Sequence, residues 1–282
     1  MKKIFVAMAA FVVSASLLSA QDLSVATETF NQAATILNDE NGDKAQALTL
    51  LQEALTQGEA CGEEAAELVA NCKKLIPELA ISIAKGLINE GNYDGAVARL
   101  TEAEAKATEY EMAETAAEAR SLAANACLRK GNTLMKEKDF PGAAAALAQA
   151  TELNPADGNA YLLLGQAQMQ SGKNEEAIEA IEALLKASEN GKEAQASKLL
   201  SSVYLKEGAA LMKDNKTAEA VNAFEASNKY GETPNAYKML ANCYNKLGKK
   251  KEAINAAKKY LELSPDAKDA ATYKQLIEVL SK

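Results

Sequence analysis

The chain has no histidine and no tryptophan. Without histidine there is no Ser-His-Asp relay, no imidazole base and no imidazole metal ligand. The four cysteines, Cys61, Cys72, Cys127 and Cys243, contain no C-x-x-C spacing. Structural zinc and thioredoxin-type redox sites are therefore not indicated. No glycine-rich phosphate loop occurs. Paired carboxylates such as Glu63-Glu64 and Glu175-Glu176 are plentiful. They fall at expected helix starts, where each complements the helix dipole by about 0.3–1 kcal/mol. Together these absences read against an enzyme, a cofactor or a metal centre. Aromatic residues make up only 5% of the chain, which speaks against a sheet sandwich rich in β-branched and aromatic side chains. Hydrophobic residues still reach 48%, with alanine abundant, a composition suited to close-packed helix pairs.

A run of apolar residues occurs only at the start. Lys2 and Lys3 precede the apolar segment Ile4–Leu18, and Ser19-Ala20 precedes Gln21. That order reads as a secretory signal peptide over residues 1–20, cut after Ala20. The run is short for a membrane span, which needs about 20 apolar residues, so no span is expected in the mature chain. No cysteine follows the run, so a bacterial-type lipid anchor is not indicated. Residues 21–282 remain, enough for a sizeable core or a long repeat array. The net charge is −8, and loss of Lys2 and Lys3 takes it to about −10. Such a chain does not bind nucleic acid by phosphate neutralisation. Acids dominate the first half, whereas bases are in slight excess beyond Lys229, with a Lys249-Lys250-Lys251 run that reads as a solvated turn. Export permits disulfides. Cys61 and Cys72 are a candidate pair if the chain turns between them at Cys61-Gly62. In one continuous helix they would stand about 16 Å apart, too far to bridge. Cys127 and Cys243 read as small buried hydrophobes.

The stretch Ala124–Gly191 reads as two tandem copies of one unit. Gly131 aligns with Gly165, Ala143 with Ala177 and Leu147 with Ile181, in each case 34 residues apart. That period suggests a helix-turn-helix repeat. A small residue in each first helix faces a small residue in each second helix, which allows axes to approach at the short end of the ~8–10 Å range. Glycine in a helix costs about 1 kcal/mol against alanine, so its recurrence at one phase points to packing that a larger residue would obstruct. The pattern resembles the tetratricopeptide repeat family. The small place of the first helix is held by Gly131 and Gly165, and the alanine place of the second by Ala143 and Ala177. Ala150 and Pro155 complete the first copy; the second departs there, with Leu184 and Glu189.

The same phase extends along the chain. A first pair over 22–56 has Asn41-Gly42-Asp43 as its turn, then Ala47, Leu51 and Ala54, with Thr35 in the small place. A second, from Pro77 to Ala107, has Ala84, the turn Gly91-Asn92, then Ala96, Leu100 and Ala103. Between them Glu63–Leu75 is helical but out of phase, and Pro77 either opens a new helix or kinks a long one. Glu109–Leu122 is expected to lengthen the first helix of the third pair. Asn174 is expected to cap the second helix of the fourth. Gly191–Leu200 is a shorter insertion. The fifth pair has Gly208, Ala220, Val221 and Phe224. The sixth begins near Thr233-Pro234 and has Leu240, Ala241, Tyr244, Gly248, Ala253 and Tyr260. Asp266–Lys282 is a capping helix with Ala270, Tyr273, Ile277 and Leu280 on one stripe, as repeat arrays require at their ends. The expected fold is all-α: an α-solenoid of about six tetratricopeptide-type helix pairs with a C-terminal capping helix.

Three first helices repeat a pattern at i, i+4, i+7: Leu128, Asn132, Met135; Leu162, Gln166, Met169; Leu205, Ala209, Met212. That spacing puts each trio on one helix face. In the resembled family the equivalent places line a concave groove that holds extended or helical peptides. Asn125, Asn159 and Ser202 would add polar groups along one edge, and Lys136 and Lys213 charge along the other. A methionine row suits varied apolar partners because the side chain repacks easily. Leucine and methionine at this spacing are equally the ordinary contacts between successive first helices. Lys238 and Asn242 match a pair that some family members use to clamp a C-terminal carboxylate. Only a cap helix follows them, so the clamp is not expected. The sequence thus points to an exported, non-catalytic scaffold in a bacterial periplasm or cell envelope, holding a protein or peptide of unidentified kind. The second reading is a structural component that self-associates through its outer faces and ends.

Overall fold

Alanines in phase at helical spacing can be buried only helix against helix, and the structure follows that rule throughout. A computed structural model describes residues 17–186 and 191–282. Among these are thirteen α-helices, one 3-10 turn at Gly62–Ala65 and no strand. The helices are α1 (Leu17–Asn38), α2 (Lys44–Ala60), α3 (Ala66–Glu90), α4 (Tyr93–Glu109), α5 (Ala113–Glu137), α6 (Phe140–Leu153) and α7 (Gly158–Gln170). They continue with α8 (Asn174–Lys186), α9 (Glu193–Lys213), α10 (Thr217–Tyr230), α11 (Pro234–Lys246), α12 (Lys250–Leu263) and α13 (Ala270–Leu280). They form six pairs and a terminal helix, the all-α solenoid architecture expected. The expected signal sequence lies outside the described residues except for its last four, which open α1. Glu189, in the family's proline place of the fourth pair, also lies outside them. Among the described residues no helix is long and apolar enough to cross a membrane.

The chain divides into two compact units, with the boundary after Lys130 inside α5. In the first, α1 packs on α2, α2 on α3 and α3 on α4, and α1 also touches α3. Phe30, Leu51, Leu68, Leu79 and Leu100 are almost wholly buried there. Arg120 of α5 pairs with Glu104 of α4 at 2.6 Å, and Glu118 with Lys85 of α3 at 2.7 Å. The out-of-phase segment before Pro77 is part of α3, which runs through the proline without a break. Proline inside a helix loses one backbone bond and costs ~3 kcal/mol. Pro77 is fully buried, so its ring burial offsets part of that cost.

In the second unit each helix again packs on its chain neighbours from α6 to α13, and α7 also touches α9. The second-helix alanines Ala47, Ala96, Ala143, Ala177, Ala220 and Ala253 are all 0% exposed, which confirms one phase through both units. Opposite them the small residues admit large neighbours. A Cβ on Gly131, Gly165 or Gly208 would stand 2.5 Å from Leu147, Ile181 or Phe224 respectively. The segment Glu109–Leu122 lengthens the first helix of the third pair as expected, from Ala113 onward: α5 has 25 residues, against 13 in α7 and α11. The insertion Gly191–Leu200 also joins a first helix, α9, which has 21 residues.

Turns within pairs share one device. In five of the six pairs a single left-handed residue follows the first helix: Gly91, Lys138, Gly172, Asn215 and Gly248, with φ between 61° and 84°. At Gly91 the Gly91 and Asn92 amides donate back to Ile88 and Leu87 carbonyls, closing a Schellman-type end. Side-chain caps then start the next helix: Asn92 accepts from Gly95 and Asp139 from Gly142, both at 3.0 Å. Asn174 does not cap α8. Lys173 takes the N-cap place, because its carbonyl accepts the first helical bond from Ala177. Asn174 instead donates from Nδ2 to Glu207 of α9 at 2.8 Å.

Candidate binding face

The repeated trios sit on the first helices as their spacing requires. In the first unit Asn125 is exposed and Leu128 half-buried on α5. In the second unit Asn132 and Met135 are half-buried in the last turns of α5. On α7, Leu162 and Met169 are half-buried while Asn159 and Gln166 are exposed. On α9, Leu205, Ala209 and Met212 are half-buried and Ser202 is exposed. Leu162 and Met169 pack on a core of Ala177, Ile181, Leu184, Ala196, Leu200 and Val203. Leu205 and Met212 pack on the next core along, which includes Phe224, Leu240 and Tyr244. The Cys243 thiol donates to the Met212 sulfur at 3.1 Å. These side chains therefore join successive repeats with one flank and keep the other flank accessible. The contacts between successive repeats account for the buried part of each side chain.

Polar groups on this face are partly committed. Ser202 Oγ donates to the Lys198 carbonyl of its own helix at 3.0 Å, so it lends no free hydroxyl donor. Lys206 of α9 donates from Nζ to the Met169 carbonyl at the end of α7. Lys136 and Lys213 are exposed. Lys238 pairs with Asp269 at 2.8 Å, and Asn242 Oδ1 accepts from the Tyr273 hydroxyl at 3.0 Å. The would-be clamp residues are thus held by the end of the chain itself.

No disulfide joins any of the four cysteines, so the candidate Cys61–Cys72 bridge is not formed. Cys61 donates to the Gln57 carbonyl at 3.2 Å. Cys72 is buried on α3, and burial pushes its thiol up to about 12.

A second feature lies among α10, α11 and α12 and was not legible in the sequence. It is a cleft of about 460 Å³, walled by Glu225, Asn228, Tyr237, Tyr244, Glu252 and Lys259. The Tyr244 hydroxyl donates to Glu225, and the Tyr237 hydroxyl to Glu232 at 2.6 Å. Burial first, then the bond to Glu232, pushes the Tyr237 phenol up to about 12. Asn228 Oδ1 accepts from the Thr233 amide at 3.2 Å, while its buried Nδ2 finds no acceptor in the protein. Each wall residue reads in the sequence as core or as solvated helix face, and only packing of three helices brings them together. One repeat earlier, Tyr204 and Tyr230 stack with centroids 5.8 Å apart, and both hydroxyls point to Glu182 at 3.4 and 3.5 Å.

Comparison with known proteins agrees with the repeat phase. A model of the tetratricopeptide repeat matches residues 128–192 and 205–268. Among solved structures, the C-terminal part of a repeat-containing protein from Cytophaga hutchinsonii is 16% identical. It covers 89% of this chain and 98% of its own, with a TM-score of 0.42. YrrB, described as a tetratricopeptide-repeat protein with an unusual peptide-binding site, is 18% identical over 70% of this chain and 91% of its own, with a TM-score of 0.38. MamA is 22% identical over 53% of this chain and 81% of its own, also at 0.38. No curated protein matches the chain. Proteins built on this repeat are protein–protein interaction scaffolds and are generally non-catalytic. Residues 128–192 and 205–268 match the tetratricopeptide repeat, within an all-α solenoid of consecutive helix pairs.

Proposed function

We propose that the protein is an exported, non-catalytic scaffold that holds a protein or peptide segment along the first-helix face. One observation carries this reading. Leu162, Met169, Leu205 and Met212 are half-buried rather than sealed, with the exposed amides of Asn159 and Gln166 on the same helix as the first two. A segment laid there would cover the remaining apolar flanks. Full burial of such a side chain is worth about 1.5–3 kcal/mol, so a half-exposed one still offers roughly 1 kcal/mol. The exposed amides would hydrogen-bond the backbone of the segment and set its direction. Export to a periplasm or cell envelope is supported by Lys2, Lys3, the apolar run Ile4–Leu18 and Ser19-Ala20.

The test is a triple variant, Met135→Glu, Met169→Glu and Met212→Glu. Wild-type and variant proteins are used side by side to capture partners from envelope extract of the source cell. Partners retained by the wild type should be lost on the variant while helicity by circular dichroism is unchanged. Equal retention by both would remove the groove reading. N-terminal sequencing of the exported protein should begin at Gln21.

A further inference from the structure

We propose that the edge formed by the α9–α10 and α11–α12 turns docks on a membrane surface of anionic phospholipid. This edge is made of turn residues and does not rest on the first-helix face. In the sequence Lys249-Lys250-Lys251 reads as a solvated turn. The structure adds a second turn and an exposed apolar side chain beside it.

Lys246, Leu247, Lys249, Lys250 and Lys251 surround the left-handed Gly248, and all five are exposed. Lys246 reaches from the end of α11 to the preceding turn, where its Nζ donates to Asn215 Oδ1 at 3.4 Å. That bond brings exposed Lys216, next to Asn215 in the chain, toward the run. Among the described residues none of these five lysines forms an ion pair. Lys246 bonds a neutral amide, and Lys249 lies over the Tyr244 ring, 5.8 Å from its centre. The acids nearest in the chain, Asp214, Glu219 and Glu252, pair with none of them. Folding does not account for the run either. Lys249 is the N-cap of α12, and Lys250 and Lys251 open that helix, where its dipole disfavours cations.

Charge selects an anionic occupant, and two features select a lipid surface over an acidic polypeptide. Leu247 is 39% exposed, one of four large apolar side chains that stand out among the described residues. It lies between Lys246 and Lys249, so an approaching bilayer would meet an apolar side chain and its flanking cations together. Further, the edge carries lysine and no arginine. The planar fork of arginine suits a fixed carboxylate, whereas lysine is a flexible point charge that can follow mobile headgroups. Clusters of about four to eight basic residues bind anionic headgroups in this way.

The test is co-sedimentation of the full chain with vesicles of equal parts phosphatidylglycerol and phosphatidylcholine, and with vesicles of phosphatidylcholine alone. At low salt, partition should be about tenfold higher on the anionic vesicles, and the excess should fade as salt is raised. Any binding through Ile4–Leu18 is common to wild type and variants and cancels between them. Combining Lys249→Glu, Lys250→Glu and Lys251→Glu should lower partition on the anionic vesicles about tenfold. Leu247→Ser should lower it about threefold. The same charge change at exposed lysines elsewhere, Lys258→Glu, Lys268→Glu and Lys274→Glu, should leave it within about twofold of wild type. All the substituted side chains are exposed, so the variants should fold, with circular dichroism as the check. Equal partition on both kinds of vesicle would overturn the proposal. So would wild-type partition in the first triple variant or in Leu247→Ser, or an equal loss in both triple variants. Complete displacement from the vesicles by polyglutamate at an equal concentration of negative charge would also overturn it, and would identify an acidic polypeptide as the partner.

Discussion

Gly165 and Gly86 place opposite demands on the same missing atom. A Cβ on Gly165 would stand 2.5 Å from Cγ1 of Ile181, a residue 0% exposed and unable to give way, while one on Gly86 would meet nothing within 4 Å. Gly165→Ala should therefore destabilise by about 1–2 kcal/mol, since overpacking outweighs the gain in helix propensity. Gly86→Ala should stabilise by about 0.5–1 kcal/mol. Urea midpoints moving in opposite directions would bear this out; parallel shifts would contradict it. The cysteines allow a second test at this scale. Burial raises the thiol pKa of Cys72, Cys127 and Cys243, all three buried. Cys61 is raised too, by burial and then Asp22 and Glu64, but it is only half-buried. Alkylation of native protein at pH 8 should mark Cys61 first, and unfolding in denaturant should expose all four. Native protein that yields no Cys61 product, with two thiols missing after unfolding, would show a bridge.

Among the elements, the terminal helix depends on one residue at its N-cap. Asp269 accepts from Lys238 and Tyr260, in that order of effect, and these bonds hold its carboxyl below the ordinary 3.8. A depressed carboxylate contributes stability above its unfolded pKa and loses it as pH falls through the native value. Asp269→Asn should lower the melting temperature near neutrality, and the gap from wild type should close in acid. A gap independent of pH would place the effect elsewhere. The helix pairs themselves were legible in the sequence, because Gly131, Gly165 and the second-helix alanines recur in phase. The turns at Gly91 and Gly248 were legible for the same reason. Lys138 and Asn215 were not, since the register of the pair, and not their own preference, puts them in left-handed conformation. Asn174 misled because capping chemistry is shared by the last residue outside a helix and the first inside it. On the candidate face, spacing located the side chains but could not apportion each one between its neighbouring helix and solvent.

Within each of the two units contacts run mainly from helix to next helix, reaching one further from α1 to α3 and from α7 to α9, so stability should be local. In such arrays it is approximately a sum of repeat and nearest-neighbour terms. Hydrogen exchange in Asp269→Asn should quicken in α11 to α13 and stay at the wild-type rate in α1 to α4. Uniform acceleration would mean one cooperative block instead. The docking of α13 has a further consequence for assembly. Its tyrosine and its leading aspartate occupy Asn242 and Lys238, groups that another repeat would otherwise engage. That face of α11 is therefore already covered, and a polypeptide could reach Lys238 and Asn242 only by first prising α13 away.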